Sequence, residues 1–250
     1  MSGGLRILAP GPSATIQDLG RPGWFSAGVG VSGATDTDSL RLANRLVGND
    51  EGAAGIECVL GGLQVEAIQA VTIAVTGAPA PISVDGNPVD QASVVELEPG
   101  QRFALGLATA GLRVYVAVRG GLAVEPVLGS RSRDTLAGLG PEPLQSGDEL
   151  PVGPAPTNPA VVVEGPATEV GPVAQITNDP VIVRVQLGPR ADWFVQPEDL
   201  FVGGWSLTDR LDRVGARLVR QQNCPPLTRR DDRELPTEGM PLGAIQVPPS

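Results

Sequence analysis

Apolar and polar positions alternate along this chain in short runs that rarely outlast seven residues. The stretches 71–77 (VTIAVTG), 92–101, 102–111, 112–121 and 181–188 (VIVRVQLG) are rich in β-branched residues and end at Gly, Pro or Asp-Gly, the signature of strands separated by turns. Asp85-Gly86-Asn87-Pro88 and Glu98-Pro99-Gly100 supply two of those turns. This rhythm predicts an all-β chain of the barrel or sandwich kind. One segment departs from it. Leu40, Ala43 and Val47 recur at helical spacing behind the capping run Thr35-Asp36-Thr37-Asp38, and Gly48-Asn49 follows, which predicts a helix over about 37–47. Periodicity disappears in the Pro/Gly-dense stretches 151–160 and 164–172. The organisation expected is therefore an N-terminal β unit over 1–150, a crossover over 151–175 and a C-terminal β unit over 176–250.

Composition narrows the chemistry. Glycine and proline number 33 and 25 of 250 residues, yet 41% of the chain is apolar, so a turn-rich globular protein of one or two domains is expected. A net charge of −10 argues against nucleic acid or an anionic membrane as partner, because both need a basic face. Neither a secretory leader nor a membrane-length apolar stretch is evident, and a cytoplasmic setting is the expectation. Cys58 and Cys224 form no metal-knuckle spacing and are expected to be free, buried and apolar in behaviour. The largest restriction is an absence: the chain has no histidine, and all 18 of its Lys+Arg positions are arginine. Histidine-assisted nucleophiles, histidine metal ligands, lysine Schiff bases and phosphate-loop lysines are excluded for these residues. Carboxylates, arginines, hydroxyls and backbone amides remain.

The densest polar cluster runs from Thr15 to Asp38. Two readings fit it: a loop braced by an Asp18–Arg21 ion pair, or a site wall in which arginine and amides receive an anionic or carbonyl group and a carboxylate handles protons. Gly28, Gly30 and Gly33 match the letters of a dinucleotide fingerprint, but breakers precede them and the predicted helix begins after the third glycine. They are expected to serve turns or close backbone approach instead. In GSRSRD, Arg131, Ser132 and Arg133 precede Asp134, with two guanidiniums suited to bidentate capture of a carboxylate or phosphate. Asp209, Arg210, Asp212, Arg213 and Arg217 alternate in sign, as in a salt-bridged lattice. Glu57 interrupts an apolar run and is either paired with an arginine or catalytic; Glu238 is a further candidate.

TIQDLGRPGW, GVSGATD and LRLANRLVGNDEGAAGIE, followed by RGGLAVEPVLGSRSRDTLAG, LQSGDEL, TDRLDRVGARL and TEGMPLGAIQVPPS, resemble the allophanate hydrolase subunit 2 family. That family is also known as the KipA-like family or as the C subunit of 5-oxoprolinase, and is similar to part of the carboxyltransferase domain of urea carboxylase. The resemblance implies two cyclophilin-like β-barrel subdomains. It also implies a companion subunit 1 (KipI-like, the B subunit of 5-oxoprolinase) in a heterodimer or heterotetramer, with a cleft between the two. On these motifs Asp36, Arg21 and Glu57 are the expected catalytic groups, and Arg131, Ser132, Arg133, Arg213 and Gly33 the expected substrate-binding ones. No metal or cofactor is expected on this chain alone, with ATP and Mg²⁺ entering through the complex. In the family a Gly-Pro turn, an apolar strand and a Gly-Tyr-Pro motif follow GAIQVP, whereas this sequence stops at Ser250. A C-terminal barrel lacking a strand or more is the corresponding expectation.

The activity expected from the resemblance is ATP-dependent ring opening of 5-oxoproline to glutamate, performed by a complex that this chain helps to form. An allophanate-hydrolysing or biotin-dependent carboxyltransferase-like subunit is one alternative. A regulatory protein that relieves its partner's inhibition of a sensor histidine kinase is another.

Overall fold

A computed structural model of the chain describes residues 4–157, 159–160, 179–234, 236 and 240–247. The chain packs as two compact units, Met1–Asn178 and Asp179–Ser250. The all-β expectation holds for the described residues, in which a single α-helix accompanies thirteen strands.

The first unit is built from two antiparallel sheets. One carries, in order, β11 (Glu149–Leu150), β1 (Leu5–Ala9), β4 (Gln64–Ala67), β9 (Arg102–Leu105), β6 (Ile82–Val84) and β7 (Asn87–Val89). The other carries β2 (Ser13–Gln17), β3 (Gly55–Val59), β10 (Arg113–Val118), β5 (Val71–Gly77) and β8 (Val94–Leu97). Strand β5 coincides with the predicted 71–77 segment, and β8, β9 and β10 lie inside the predicted runs. Side chains alternate across each strand, so Leu5, Ile7, Val65 and Phe103 of the first sheet meet Ile16, Ile56, Val116 and Ile73 of the second in one buried cluster. Burying such side chains is worth roughly 1.5–3 kcal/mol apiece, which makes this layer the main source of stability.

The helix α1 (Thr37–Leu46) lies where the capping run and apolar spacing place it. Asp36 is its N-cap and accepts from the Ser39 amide at 3.0 Å. Its apolar stripe, Leu42, Ala43 and Leu46, covers Ala74 and Ala117 on the outer face of the five-stranded sheet. Small residues on those two strands let the helix sit close. Its C-terminal end is fastened by Arg119, which donates to Val47 O at 2.7 Å, a cation placed where the helix dipole favours one. Asn49 bonds the Asn44 side chain and Val118 O at 3.0 and 2.7 Å, tying the turn after the helix to β10.

The second unit contains a β-hairpin of β12 (Trp205–Leu211) and β13 (Ala216–Arg220). The segment 181–188, expected as a strand, is not one: Val181, Ile182 and Val183 are 80, 92 and 71% exposed and take no ladder partner among the described residues. Strand preference in such residues expresses packing on a pleated surface, and the only ladder in the described part of this unit is β12 with β13. Of the expected crossover, residues 151–156 clip onto the first unit through Ala123 N–Pro151 O, Gly153 N–Gly121 O and Arg119–Pro156 O bonds of 2.8, 2.9 and 2.8 Å. Residues 158 and 161–178 lie outside the described residues.

Candidate functional site

The five-stranded sheet gathers polar groups on its outer face by register. Thr15 of β2 opposes Glu57 of β3, Glu57 opposes Tyr115 of β10, and Tyr115 opposes Thr76 of β5. One residue along, the row Ile16, Ile56, Val116, Val75 faces the core. A single-residue slip would exchange the two rows, so the pattern that builds the core also aligns the polar row.

Glu57 is 1% exposed and Tyr115 fully buried. The phenol donates to Glu57 Oε2 at 2.7 Å and accepts from the Asp36 amide at 2.7 Å. The Thr35 amide donates to the same Glu57 oxygen at 2.9 Å, and Arg113 Nη1 lies 3.5 Å from Oε1. Of the two readings open for Glu57, the structure realises pairing with an arginine. Burial, followed by the negative charge of Glu57, pushes the Tyr115 phenol well above its ordinary range. The Cys58 thiol, on the core side of β3, is pushed up to about 12, first by burial and then by Glu57. It is a packing residue rather than a nucleophile. Cys58 and Cys224 are both free, the first buried and the second half-buried.

A second buried cluster holds the start of the 18–36 loop. The Asp18 carboxylate accepts from Ser130 Oγ (2.6 Å), Ser132 Oγ (2.5 Å), Gly20 N (2.7 Å) and Arg131 N (2.6 Å). Arg21, 1% exposed, donates to Val127 O at 3.3 Å and to Ser132 O, while its Nη1 lies 3.7 Å from Asp134 Oδ2. The expected Asp18–Arg21 ion pair is thus replaced: Asp134 is the acid that Arg21 faces, and hydroxyls and amides surround Asp18. A buried guanidinium is costly unless its donors are met: the Val127 and Ser132 carbonyls receive Nε and Nη2, while Nη1 has no hydrogen bond among the described residues and only the longer approach to Asp134. Gly33 closes the arrangement, since at φ +92° an added Cβ would lie 2.8 Å from Gly20 N and Leu19 C. Gly28, at φ +76°, caps the short helical turn Phe25–Ala27, and α1 begins only at Thr37, so Gly28 serves a turn and Gly33 a backbone approach, while Gly30 has no positive φ and nothing within 4 Å of an added Cβ.

The structure therefore brings most of the expected site residues into one region of the first unit. Arg21, Ser132 and Gly33 are buried supports of the loop, and Glu57 is a buried support beneath it. Asp36 caps α1 and also accepts from Ser39 Oγ at 2.6 Å, with its carboxylate at the surface. Arg133 pairs with Glu142 at 2.7 Å and donates to Gly140 O at 3.4 Å. Arg131 donates through Nε to Val124 O at 2.7 Å, and its terminal amino groups carry no hydrogen bond among the described residues. Arg213 belongs to the second unit, in the β12–β13 turn where Asp212 Oδ1 accepts from the Val214 and Gly215 amides at 2.7 and 3.0 Å. Glu238 lies outside the described residues. Sequence reasoning passed over Ser130, whose signal is the Ser-x-Ser spacing that turns two hydroxyls to one carboxylate, and gave Tyr115 no partner. No cluster of three or more His, Cys, Asp or Glu able to hold a metal occurs among the described residues.

Two packed antiparallel sheets carrying this braced Gly-rich loop and the GSRSRD loop define the class: the chain belongs to the carboxyltransferase domain family, subdomain A and B, whose model matches residues 27–250. Among individual relatives it is 35% identical to the C subunit of 5-oxoprolinase from Escherichia coli over 249 residues, covering 98% of this chain and 76% of that protein. The urea amidolyase of Lachancea kluyveri is 32% identical over 241 residues, covering 91% of this chain but 13% of that one. In solved structures, the urea carboxylase of Kluyveromyces lactis superposes with a TM-score of 0.76 at 28% identity, covering 88% of this chain and 21% of that chain. No helix among the described residues is long and apolar enough to cross a membrane.

Proposed function

We propose that the chain is a subunit of an ATP-dependent lactam hydrolase of the 5-oxoprolinase type, opening 5-oxoproline to glutamate together with a KipI-like subunit 1 partner. The observation that carries this reading is the 35% identity to the C subunit of a 5-oxoprolinase along nearly the whole chain. The absence of histidine and lysine fits a chain that supplies part of a site. Transfer of the γ-phosphoryl group of ATP to the lactam oxygen, with ADP leaving, followed by attack of water at the carbonyl carbon, would break the C–N bond as the nitrogen takes up a proton and phosphate departs, and the charge that develops needs guanidinium or amide donors. On this chain Arg131 has terminal donors to offer an anion, Arg133 lies beside it, and Asp36 presents a surface carboxylate to a bound water. Arg21, Ser132, Gly33 and Glu57 hold the loop that carries these groups. The phosphate-binding step, with its Mg²⁺, is assigned to the partner or to the shared interface.

A carboxyltransferase-like role is the second reading, favoured by the family model and by the TM-score of 0.76 to a urea carboxylase. Reconstituting the chain with its companion subunits separates the two. Glutamate formed from 5-oxoproline and ATP supports the hydrolase, whereas bicarbonate-dependent urea carboxylation without glutamate release supports the alternative.

A further inference from the structure

On a chain of net charge −10, one guanidinium of the first unit stands without a counter-charge. The other arginines of that unit face a carboxylate at 3.8 Å or less, as Arg45 faces Glu51 and Arg133 faces Glu142, or, like Arg119, give their terminal amino groups to backbone carbonyls. Arg131 does neither. Its Nε donates to Val124 O at 2.7 Å, while Nη1 and Nη2 carry no hydrogen bond or ion pair among the described residues and are not sealed from solvent. Glu125, next to Val124, is exposed and forms no ion pair with it among the described residues. The residue is also held from behind. Asp18 Oδ2 accepts from the Arg131 amide at 2.6 Å, and Oδ1 accepts from Ser130 Oγ and Ser132 Oγ on either side of it at 2.6 and 2.5 Å. The turn that delivers this stretch passes through Leu128 and Gly129 at φ +52° and +82° and is closed by the Val127 amide on Ser130 O at 2.8 Å. A leucine in that conformation is strained, and such strain persists only where its surroundings impose it.

We infer that Arg131 seats the carboxylate of the substrate and that Asp18 is the residue that positions it. With the backbone amide and Nε both fixed, the guanidinium keeps one free edge, Nη1 with Nη2, and little side-chain freedom remains to be lost when an anion binds there. That edge offers two coplanar donors and one positive charge, the match of a single carboxylate taken in bidentate fashion. A phosphoryl group in transfer spreads its charge over three oxygens and calls for further cations, and the neighbouring Arg133 is taken up by Glu142. 5-Oxoproline carries one carboxylate beside its lactam. The inference rests on the reading of the chain as part of a 5-oxoproline-opening complex and names the substrate group that this chain recognises.

The test is steady-state kinetics of the reconstituted complex, with the KM for 5-oxoproline and the KM for ATP measured separately and folding checked by circular dichroism. Arg131→Gln is expected to raise the KM for 5-oxoproline about tenfold to hundredfold, the weight of a charge-assisted hydrogen-bonded contact, with the KM for ATP unchanged. Arg131→Lys, which keeps the charge but loses the planar fork, is expected to fall between. Asp18→Asn, assayed well below its thermal midpoint, is expected to raise the same KM and not the other; a mere loss of folded protein would lower kcat and leave both KM values in place. Arg102→Gln, the same change of charge on a side chain 69% exposed, is expected to match the unaltered complex. An unchanged KM for 5-oxoproline in Arg131→Gln overturns the inference and leaves the proposed function standing. A rise confined to ATP overturns it in favour of a phosphoryl seat. If the unaltered complex releases no glutamate, the proposed function fails and this inference fails with it.

Discussion

Tyr115 is the sole tyrosine of the chain, so a tyrosinate absorbance signal reports on this residue alone. Burial and the Glu57 charge raise the phenol above its ordinary value, which near 25 °C is about 10. A group whose pKa is raised by folding contributes stability that is complete below the unfolded pKa and is lost as pH rises toward the folded one. Tyrosinate is therefore expected to appear only together with alkaline unfolding, as a single coincident transition in absorbance and circular dichroism. A smooth titration near pH 10 in the folded protein would contradict the buried Glu57–Tyr115 bond. Asp18 makes the corresponding case on the other side of the loop. Asp18→Asn keeps the shape but places an amide where hydroxyl and backbone donors converge, and an unmet bond to a buried charged group costs roughly 1.5–3 kcal/mol. A lowered denaturation midpoint with an unchanged m-value is the expected result.

At the scale of elements, stability and chemistry can be separated at the start of α1. Asp36 is both the N-cap and an expected catalytic carboxylate. Asparagine caps a helix about as well as aspartate, whereas alanine costs about 1 kcal/mol. Asp36→Asn is expected to leave the thermal midpoint in place while lowering turnover of the reconstituted complex, and Asp36→Ala to lower both. Retained turnover in Asp36→Asn would assign the residue to capping alone. The same elements show what the sequence disclosed. The 71–77 strand and the 37–46 helix were legible because each carries its own period and its own stops. Strand β3 was legible as an apolar strand interrupted by Glu57, but the reason for that acid lies across the sheet at Tyr115 and Arg113. The segment 181–188 has every local mark of a strand, but a ladder partner is a property of the assembly and is not written in the run itself.

For the whole molecule, the candidate site was legible as a set of residues and illegible as a geometry. Asp18 and Arg21 stand out together in sequence, yet the hydroxyls that satisfy Asp18 come from 112 and 114 residues away, and local spacing offers Arg21 as the nearer partner. Arg21 and Glu57 looked like reagents because charge in an apolar or Gly-rich context is unusual. In the structure that charge is turned inward, holding two loops and leaving Arg131, Arg133 and Asp36 toward solvent or its margin. On the proposed reading, a chain with no histidine and no lysine contributes part of a site whose remaining groups another subunit supplies. The most direct test withholds it: ATP hydrolysis and glutamate release from 5-oxoproline are measured in the companion subunits with and without this chain. Glutamate formed stoichiometrically with ADP only when the chain is present is the predicted result. Equal glutamate release in its absence, or none when all subunits are combined, would contradict the account.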